Sequence, residues 1–440
     1  MTLHKSIFSR LTPPQALVLG YLMYTLVGWL LLCMPICHTE GVSILNNLFI
    51  ATSAVSTTGL TTIDVGTHYT FLGQLVILTL IQIGGIGYMT FSSFVIFAIM
   101  DKLSSFRKKV AMTALSLPKQ LPIHEFLPRV VFFTLLCEVI GAIILSLLFA
   151  SKGVEHPVWN GIFHSISAYC TAGFSLFPDS LMSFKYDFGI NMTISLLCIF
   201  GAVGFIAWLD IYKKLKKQKE RLTFLTKVIL SVTFCFIAIG SFVFFFVEGP
   251  LSGNTIYERV ITSFFQTMTA STTAGYNSLD IGTLTEASII LLTFLMVFGA
   301  SPAGTGGGLK STAFVTLVGL VITTISGRNV VSFWKREISN KRVQLATATL
   351  GYYLFVLTFS VFLLTIFENK PFLRVLFEAA SALGTVGLSM GITSDLTTFG
   401  KLMISVLMLM GRVGILTFGI ALSVQKKDEV VYKKDNELVF

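Results

Sequence analysis

Apolar stretches of about twenty residues alternate with short polar or basic ones along nearly the whole chain. They cover 15–37, 74–100, 128–149, 190–209, 224–247, 287–325, 345–367 and 401–424. About 20 apolar residues suffice to cross the hydrocarbon layer as a helix. Runs of this length and apolar content point to a polytopic membrane protein rather than to one with a large soluble core.

Between the two members of each pair lies a shorter segment of another kind. The first reads "FIATSAVSTTG" and ends at Gly59. It returns as "FHSISAYCTAG" at Gly173, "FQTMTASTTAG" at Gly275 and "FEAASALGTVG" at Gly387. All fit F-x-x-x-[ST]-A-x-x-T-x-G, at intervals of about 110 residues. A long internal period of this kind sets the architecture before any other feature does. The pattern predicts an all-α polytopic membrane protein of four tandem units, each one span, one re-entrant pore helix and a second span. That makes eight transmembrane helices and four pore helices around a central pore. The units cover 12–101, 126–215, 223–327 and 342–425, and 426–440 is a tail.

Composition agrees: 54% of the 440 residues are hydrophobic and 12% charged, against about 25% charged in soluble domains. The net charge of +10 comes mostly from lysines and arginines before, between and after the units. The motif side carries only Lys152, Lys185, Arg259, Lys370, Arg374 and Lys401. By the positive-inside rule both termini are cytosolic and the motifs face outward. The basic loops are then topology signals, and nucleic-acid binding is not expected. Residues 1–12 are basic without an apolar run before a cleavage site, so no secretory signal is expected. Five of the six cysteines fall in spans. Cys33 and Cys37 lack a second pair to complete a zinc site, so neither zinc nor a disulfide framework is expected.

Each motif is too apolar for a solvated loop and too short to cross. A helix that dips in, followed by an extended return, fits; irregular backbone at that depth needs a protein-walled or wet cavity. Four returns around one axis can turn their carbonyls inward and replace the water shell of a cation. The predicted filter is Thr57, Thr58 and Gly59; Thr171, Ala172 and Gly173; Thr273, Ala274 and Gly275; and Thr385, Val386 and Gly387, with potassium held at their carbonyls. Glycine supplies backbone freedom there. Asp64, Asp179, Asp280 and Asp395 follow the motifs and are candidates for an acidic outer vestibule; caps and turns are the alternative.

A G-x-x-G pair follows in three second spans, at Gly84/Gly87, Gly201/Gly204 and Gly411/Gly414. Close helix packing explains it, and its constant place argues for shared architecture. The third unit instead carries "FGASPAGTGGGLKST". A helix cannot run through it, so Gly299, Ala300, Ser301, Pro302, Ala303, Gly304, Thr305, Gly306, Gly307, Gly308 and Lys310 are the candidate gating loop. A P-loop needs glycine directly before its lysine, whereas Leu309 precedes Lys310 and no strand leads in. Arg412 lies mid-span, where an arginine must face protein or water. It either stands beside the loop as a gate charge or forms a structural ion pair, for which Glu138 is a candidate. No catalytic triad, H-E-x-x-H or paired carboxylates are apparent, so no enzyme activity is expected. His164 is expected to be structural.

The four M1–pore–M2 units, the single glycine of each filter, "GASPAGTGGGLKST" and the arginine of "GRVG" resemble the Trk/Ktr/HKT superfamily of cation transporters, most of all its Ktr-type membrane subunits (KtrB/KtrD-like). The resemblance covers about residues 12–425. It implies potassium uptake across the plasma membrane of a bacterium. It also implies a homodimer with one pore per protomer, and a separate cytosolic RCK-type nucleotide-binding ring (KtrA/KtrC-like) docked on the inner face. It puts Gly59, Gly173, Gly275 and Gly387 in the filter, 304–308 in the gating loop and Arg412 beside it. Glycine rather than serine at position 59 implies a preference for K+ over Na+. No organic cofactor is implied; K+ is the transported ion and Na+ dependence stays open. A sodium- or proton-coupled carrier is the alternative function, with Glu138 its central intramembrane acid.

Overall fold

The computed structural model describes residues 11–39, 41–87, 123–249, 255–299 and 301–423. Ala300, the stretch 88–101 of the first unit, the chain start and the tail 426–440 lie outside the described residues. Among the described residues four helices are long and apolar enough to cross a membrane. They lie in α1 (Pro13–Leu32), α4 (Ile123–Ser151), α8 (Phe224–Glu248) and α12 (Asn340–Phe367). Their outer faces expose large apolar side chains such as Leu30, Phe132, Phe242 and Phe355. This inverts the arrangement of a soluble protein, and a lipid surround explains it.

Each long helix leads into a short one that carries the motif: α2 (Ile44–Ser56), α5 (Pro157–Tyr169), α9 (Ile256–Ser271) and α13 (Phe372–Gly384). At 1.5 Å per residue, 13 to 16 residues span about 20–24 Å, short of the ~30 Å hydrocarbon layer. Their starts are set by local chemistry. Ser43 Oγ accepts from the Asn46 N–H, Pro157 opens α5, and Thr255 with Glu258 forms a capping box, each supplying orphan first-turn donors or removing one.

The second helices are α3 (Phe71–Ile86), α6 (Phe188–Val203), α10 (Glu286–Phe298) and α14 (Thr398–Val413). Each packs on the motif helix of the next unit: α3 on α5, α6 on α9, α10 on α13, and α14 back on α2. That order closes a ring of four.

The second spans differ from the continuous helices expected at 190–209 and 401–424. α6 turns by 96° into α7 (Phe205–Leu215), and α14 turns by 102° into α15 (Ile415–Leu422). The cause is the second glycine of each G-x-x-G pair: Gly204 and Gly414 have φ near +90°, and Gly87 ends α3 at φ 85°. That region is closed to a right-handed helix but open to glycine. The first glycine of each pair does pack closely, and so does Gly299 in the third unit. A side chain on Gly84, Gly201, Gly299 or Gly411 would strike the carbonyl oxygen of Val55, Tyr169, Ser271 or Leu383 respectively, one per motif helix.

In the third unit α10 stops at Phe298, and α11 (Ser311–Ile325) resumes after an irregular stretch, as the glycines and Pro302 predict. A two-residue hairpin, β1 (Ser332–Phe333) with β2 (Arg336–Glu337), pairs Ser332 with Glu337 and Phe333 with Arg336. It links α11 to α12 and was not expected. Glu248 and Glu368, at the ends of α8 and α12, accept hydrogen bonds from Thr285 and Thr397, which cap α10 and α14. These pairs tie the end of the long helix to the start of the second helix in units three and four.

Candidate functional site

All four motifs end in the same way. Thr57, Thr171, Thr273 and Thr385 are left-handed, with φ of 51°, 50°, 55° and 51°. Each threonine N–H donates to the motif alanine three residues back. The next N–H donates to the carbonyl of the motif Ser or Thr five residues back. This paired closure is a Schellman cap, built here on threonine where glycine is usual.

The motif hydroxyl then staples the returning chain to its helix. Ser53 Oγ accepts from Gly59 N–H (3.0 Å) and Ser381 Oγ from Gly387 N–H (3.0 Å). Thr269 Oγ1 accepts from Tyr276 N–H (2.8 Å), and Ser167 Oγ donates to the Phe174 carbonyl (2.8 Å). The motif phenylalanines Phe49, Phe163, Phe265 and Phe377 are fully buried. The spacing F-x-x-x-[ST]-A-x-x-T-x-G thus encodes an anchor, a staple, a cap acceptor and a reversal.

The four glycines meet. A side chain on Gly59 would strike the carbonyl oxygen of Ala172 and approach the Cα of Gly173. Gly173 meets Ala274 and Gly275 in this way, Gly275 meets Val386 and Gly387, and Gly387 returns to Thr58 and Gly59. One carbonyl oxygen therefore stands at each seam of a closed collar that has no room for a Cβ. All four glycines line a cavity of about 400 Å³.

Asp64, Asp179 and Asp280 line the same cavity. Asp64 and Asp280 also cap the turns that follow them, accepting from Gly66 and Gly282 N–H. Asp395 is not among the lining residues: it pairs with Lys370 at 3.1 Å. That neighbour lies 25 positions away in the chain, and the unit plan gave no hint of it.

On the helix side of the collar lies the broken segment. Phe205 N–H donates to the Ala303 carbonyl (3.0 Å), and Thr305 N–H to the Gly201 carbonyl (3.2 Å). Gly307 N–H donates to Thr385 Oγ1 (2.8 Å), and Lys310 Nζ reaches back to the Gly306 carbonyl (2.8 Å). Gly308 is left-handed at φ 68°.

Arg412 reaches the same place. Its guanidinium donates to Thr57 Oγ1 (2.9 Å), the Thr305 carbonyl, the Gly84 carbonyl and the Gly85 carbonyl (3.1 Å). Its named partners are oxygens of units one and three, none a carboxylate. Glu138 instead accepts from Gln82 Nε2 (3.0 Å), so the ion pair held open as an alternative is not formed. His164 spends both ring nitrogens, on the Asn160 carbonyl (2.8 Å) and Ser175 Oγ (3.0 Å). Among the described residues no group of three or more His, Cys, Asp and Glu is placed to hold a metal ion. All six cysteines are free.

The chain is similar over its length to several known proteins. It is 37% identical over 428 residues to the Ktr system potassium uptake protein B of Bacillus subtilis, covering 96% of each chain. It is 36% identical over 450 residues to the potassium/sodium uptake protein NtpJ of Enterococcus hirae, covering 99% of this chain and 98% of that one. Its fold matches the crystal structure of the potassium transporter TrkH from Vibrio parahaemolyticus with a TM-score of 0.74, at 21% identity, over 92% of this chain and 83% of that one. The TrkH family profile, described as cation transport protein, matches residues 22–433, and the chain belongs to that family.

Proposed function

We propose that this chain is the ion-translocating membrane subunit of a potassium uptake system. The collar of Gly59, Gly173, Gly275 and Gly387, with the carbonyls between them, is its selectivity filter. The cyclic contact of those glycines carries the reading: four neutral oxygens at fixed seams are what a K+ ion needs in place of water. The relatives' names add the ion. The four units divide the chain near 12–101, 126–215, 223–327 and 342–425. Asp64, Asp179 and Asp280 concentrate cations at the mouth, and the segment 299–310 is the gate, with Arg412 as its pin.

The chain works as a homodimer in the bacterial plasma membrane, with both termini in the cytosol. A cytosolic RCK-type ring drives the gate. Rubidium uptake into proteoliposomes tests this: uptake should be competed by potassium, exceed that of sodium and rise when a matching ring is added. Equal uptake of both ions would favour the second reading, a sodium-using carrier, which the potassium/sodium name of the Enterococcus relative keeps in play.

Arg412 bridges unit four to units one and three. Charge-assisted hydrogen bonds contribute roughly 1.5–3 kcal/mol each. Arg412→Ala should therefore raise ring-free rubidium uptake several-fold while the protein elutes unchanged on gel filtration. Reduced uptake by a well-folded variant would show that the arginine holds the pathway open rather than closed.

A further inference from the structure

We propose that the groove between the first part of α4 and the bent helix α7 is a binding site for an anionic phospholipid, with an acyl chain against its apolar wall and the headgroup phosphate on the lysines that follow. The inference stands on the lipid surround of the chain and not on the ion path.

The shape comes from the bend at Gly204. A turn of 96° lays α7 across the end of its span instead of along it, the pose of a helix resting in the headgroup layer. Between α7 and 128–136 of α4 it leaves a cavity of about 630 Å³, within the ~300–1,000 Å³ of sites that hold a small molecule. Its wall is mostly hydrocarbon and aromatic ring: Phe133 and Leu136 from α4, and Trp208, Leu209 and Tyr212 from α7. Trp208 spends its indole N–H on the Phe200 carbonyl (2.8 Å), so it offers the groove only ring carbon. Phe132 and Leu215, also in the wall, remain 70% and 78% exposed. Contiguous apolar surface of this kind marks a place that something covers.

Charge sets the chemistry of the cover. Lys213, Lys214, Lys216 and Lys217 follow Tyr212 directly, and none has a carboxylate partner among the described residues. Asp210, the one acid on α7, is taken by Lys219 (2.6 Å) and by Thr223. Lys216 Nζ lies over the Tyr212 ring at 5.5 Å, and the exposed Arg129 lines the groove from the α4 side. Topology asks only that lysines lie on this side of the bilayer; it does not lay one on the groove wall. An apolar trough with cations at its mouth matches an anionic lipid, which carries tail and phosphate on one molecule.

The site also touches the broken segment. Phe205, part of the same wall, donates its N–H to the Ala303 carbonyl (3.0 Å). A side chain on Gly204 would strike the Pro302 carbonyl oxygen. A lipid under α7 therefore steadies the helix against which 302–303 rests.

The test uses the full chain in phosphatidylcholine vesicles, with Trp29→Phe, Trp159→Phe and Trp334→Phe so that Trp208 alone of the four tryptophans remains. Brominated phosphatidylglycerol should quench Trp208 several-fold more than the same mole fraction of brominated phosphatidylcholine. Lys213→Gln, Lys214→Gln and Lys216→Gln together should bring the two lipids level, and arginine at the same three positions should keep the difference. If the tryptophan variant fails to elute as a folded species, native mass spectrometry of the parent chain reads the same contrast: phosphatidylglycerol adducts should outnumber phosphatidylcholine ones and fall in the glutamine variant. Equal quenching by the two lipids would mean ordinary solvent lipid. No quenching by either would mean that residues 88–122 or a second copy fill the groove. A preference untouched by the glutamines would put the headgroup elsewhere, and each of these results overturns the site. Rubidium flux plays no part in the readout, so failure here and failure of the potassium assignment are told apart.

Discussion

Deleting 303–307 is expected to give rubidium uptake that no longer waits for a cytosolic ring, on the order of tenfold to a hundredfold above the intact chain alone. The estimate comes from the contacts removed. Ala303 and Thr305 are bonded to the bend of unit two, Gly307 to the cap of unit four, and Thr305 also to Arg412. At about 1 kcal/mol net per hydrogen bond, two or three of these four going unreplaced in the shortened chain shifts a closed-to-open equilibrium by about that range, since 1.4 kcal/mol is about tenfold. The measurement is uptake into ring-free proteoliposomes at matched protein content. Unchanged flux in a variant that still elutes as a folded species would mean that the segment is a structural bridge and the barrier lies elsewhere.

Gly59→Ser should lower the preference for rubidium over sodium on the order of tenfold. Two physical terms act together. Position 59 sits at φ 91°, a conformation that strains any residue with a Cβ by about 1–3 kcal/mol. The new Cβ would also run into the Ala172 carbonyl, the oxygen at the first seam of the collar, and must displace it. Gly153→Ala separates the terms. Gly153 has φ 72°, yet open space surrounds it, so this variant bears the backbone strain without touching the collar. Rubidium and sodium uptake measured side by side should shift for the first variant and hold for the second. A common shift would assign the effect to general destabilisation, and no shift for Gly59→Ser would remove the glycine from the selectivity argument.

Much of this was legible in the residues because identical local chemistry recurs four times. The motif's Phe, Ser/Thr, Ala, Thr and Gly each have one structural task, so their spacing foretold the short helices and their abrupt ends. The break in the third unit was equally plain, since no helix tolerates that density of glycine beside Pro302.

The bends at Gly204 and Gly414 were not legible. Apolar character continues straight through them into Phe205–Leu215 and Ile415–Leu422, so hydropathy sees one span. The left-handed threonines run against local propensity and are held by surroundings that only the assembled ring supplies. Arg412 announced itself by its cost in lipid. Its partners, however, lie more than a hundred positions away, on Thr305, Thr57 and Gly84, and they are backbone and hydroxyl oxygens that no charge pattern reveals. Lys370 likewise pairs with Asp395 by a contact between loops, and Asp395 is not among the residues lining the cavity.

The collar has a consequence for biosynthesis. Its last seam joins Gly387 to Gly59, so the first quarter of the polypeptide waits for the final quarter to emerge. At roughly 5–20 residues per second, that delay lasts tens of seconds. By its end three nascent quarters sit in lipid with their hydroxyl-bearing faces uncapped. The ribosome-bound intermediate should therefore lean on the insertion machinery to shield that wedge until the circle is completed.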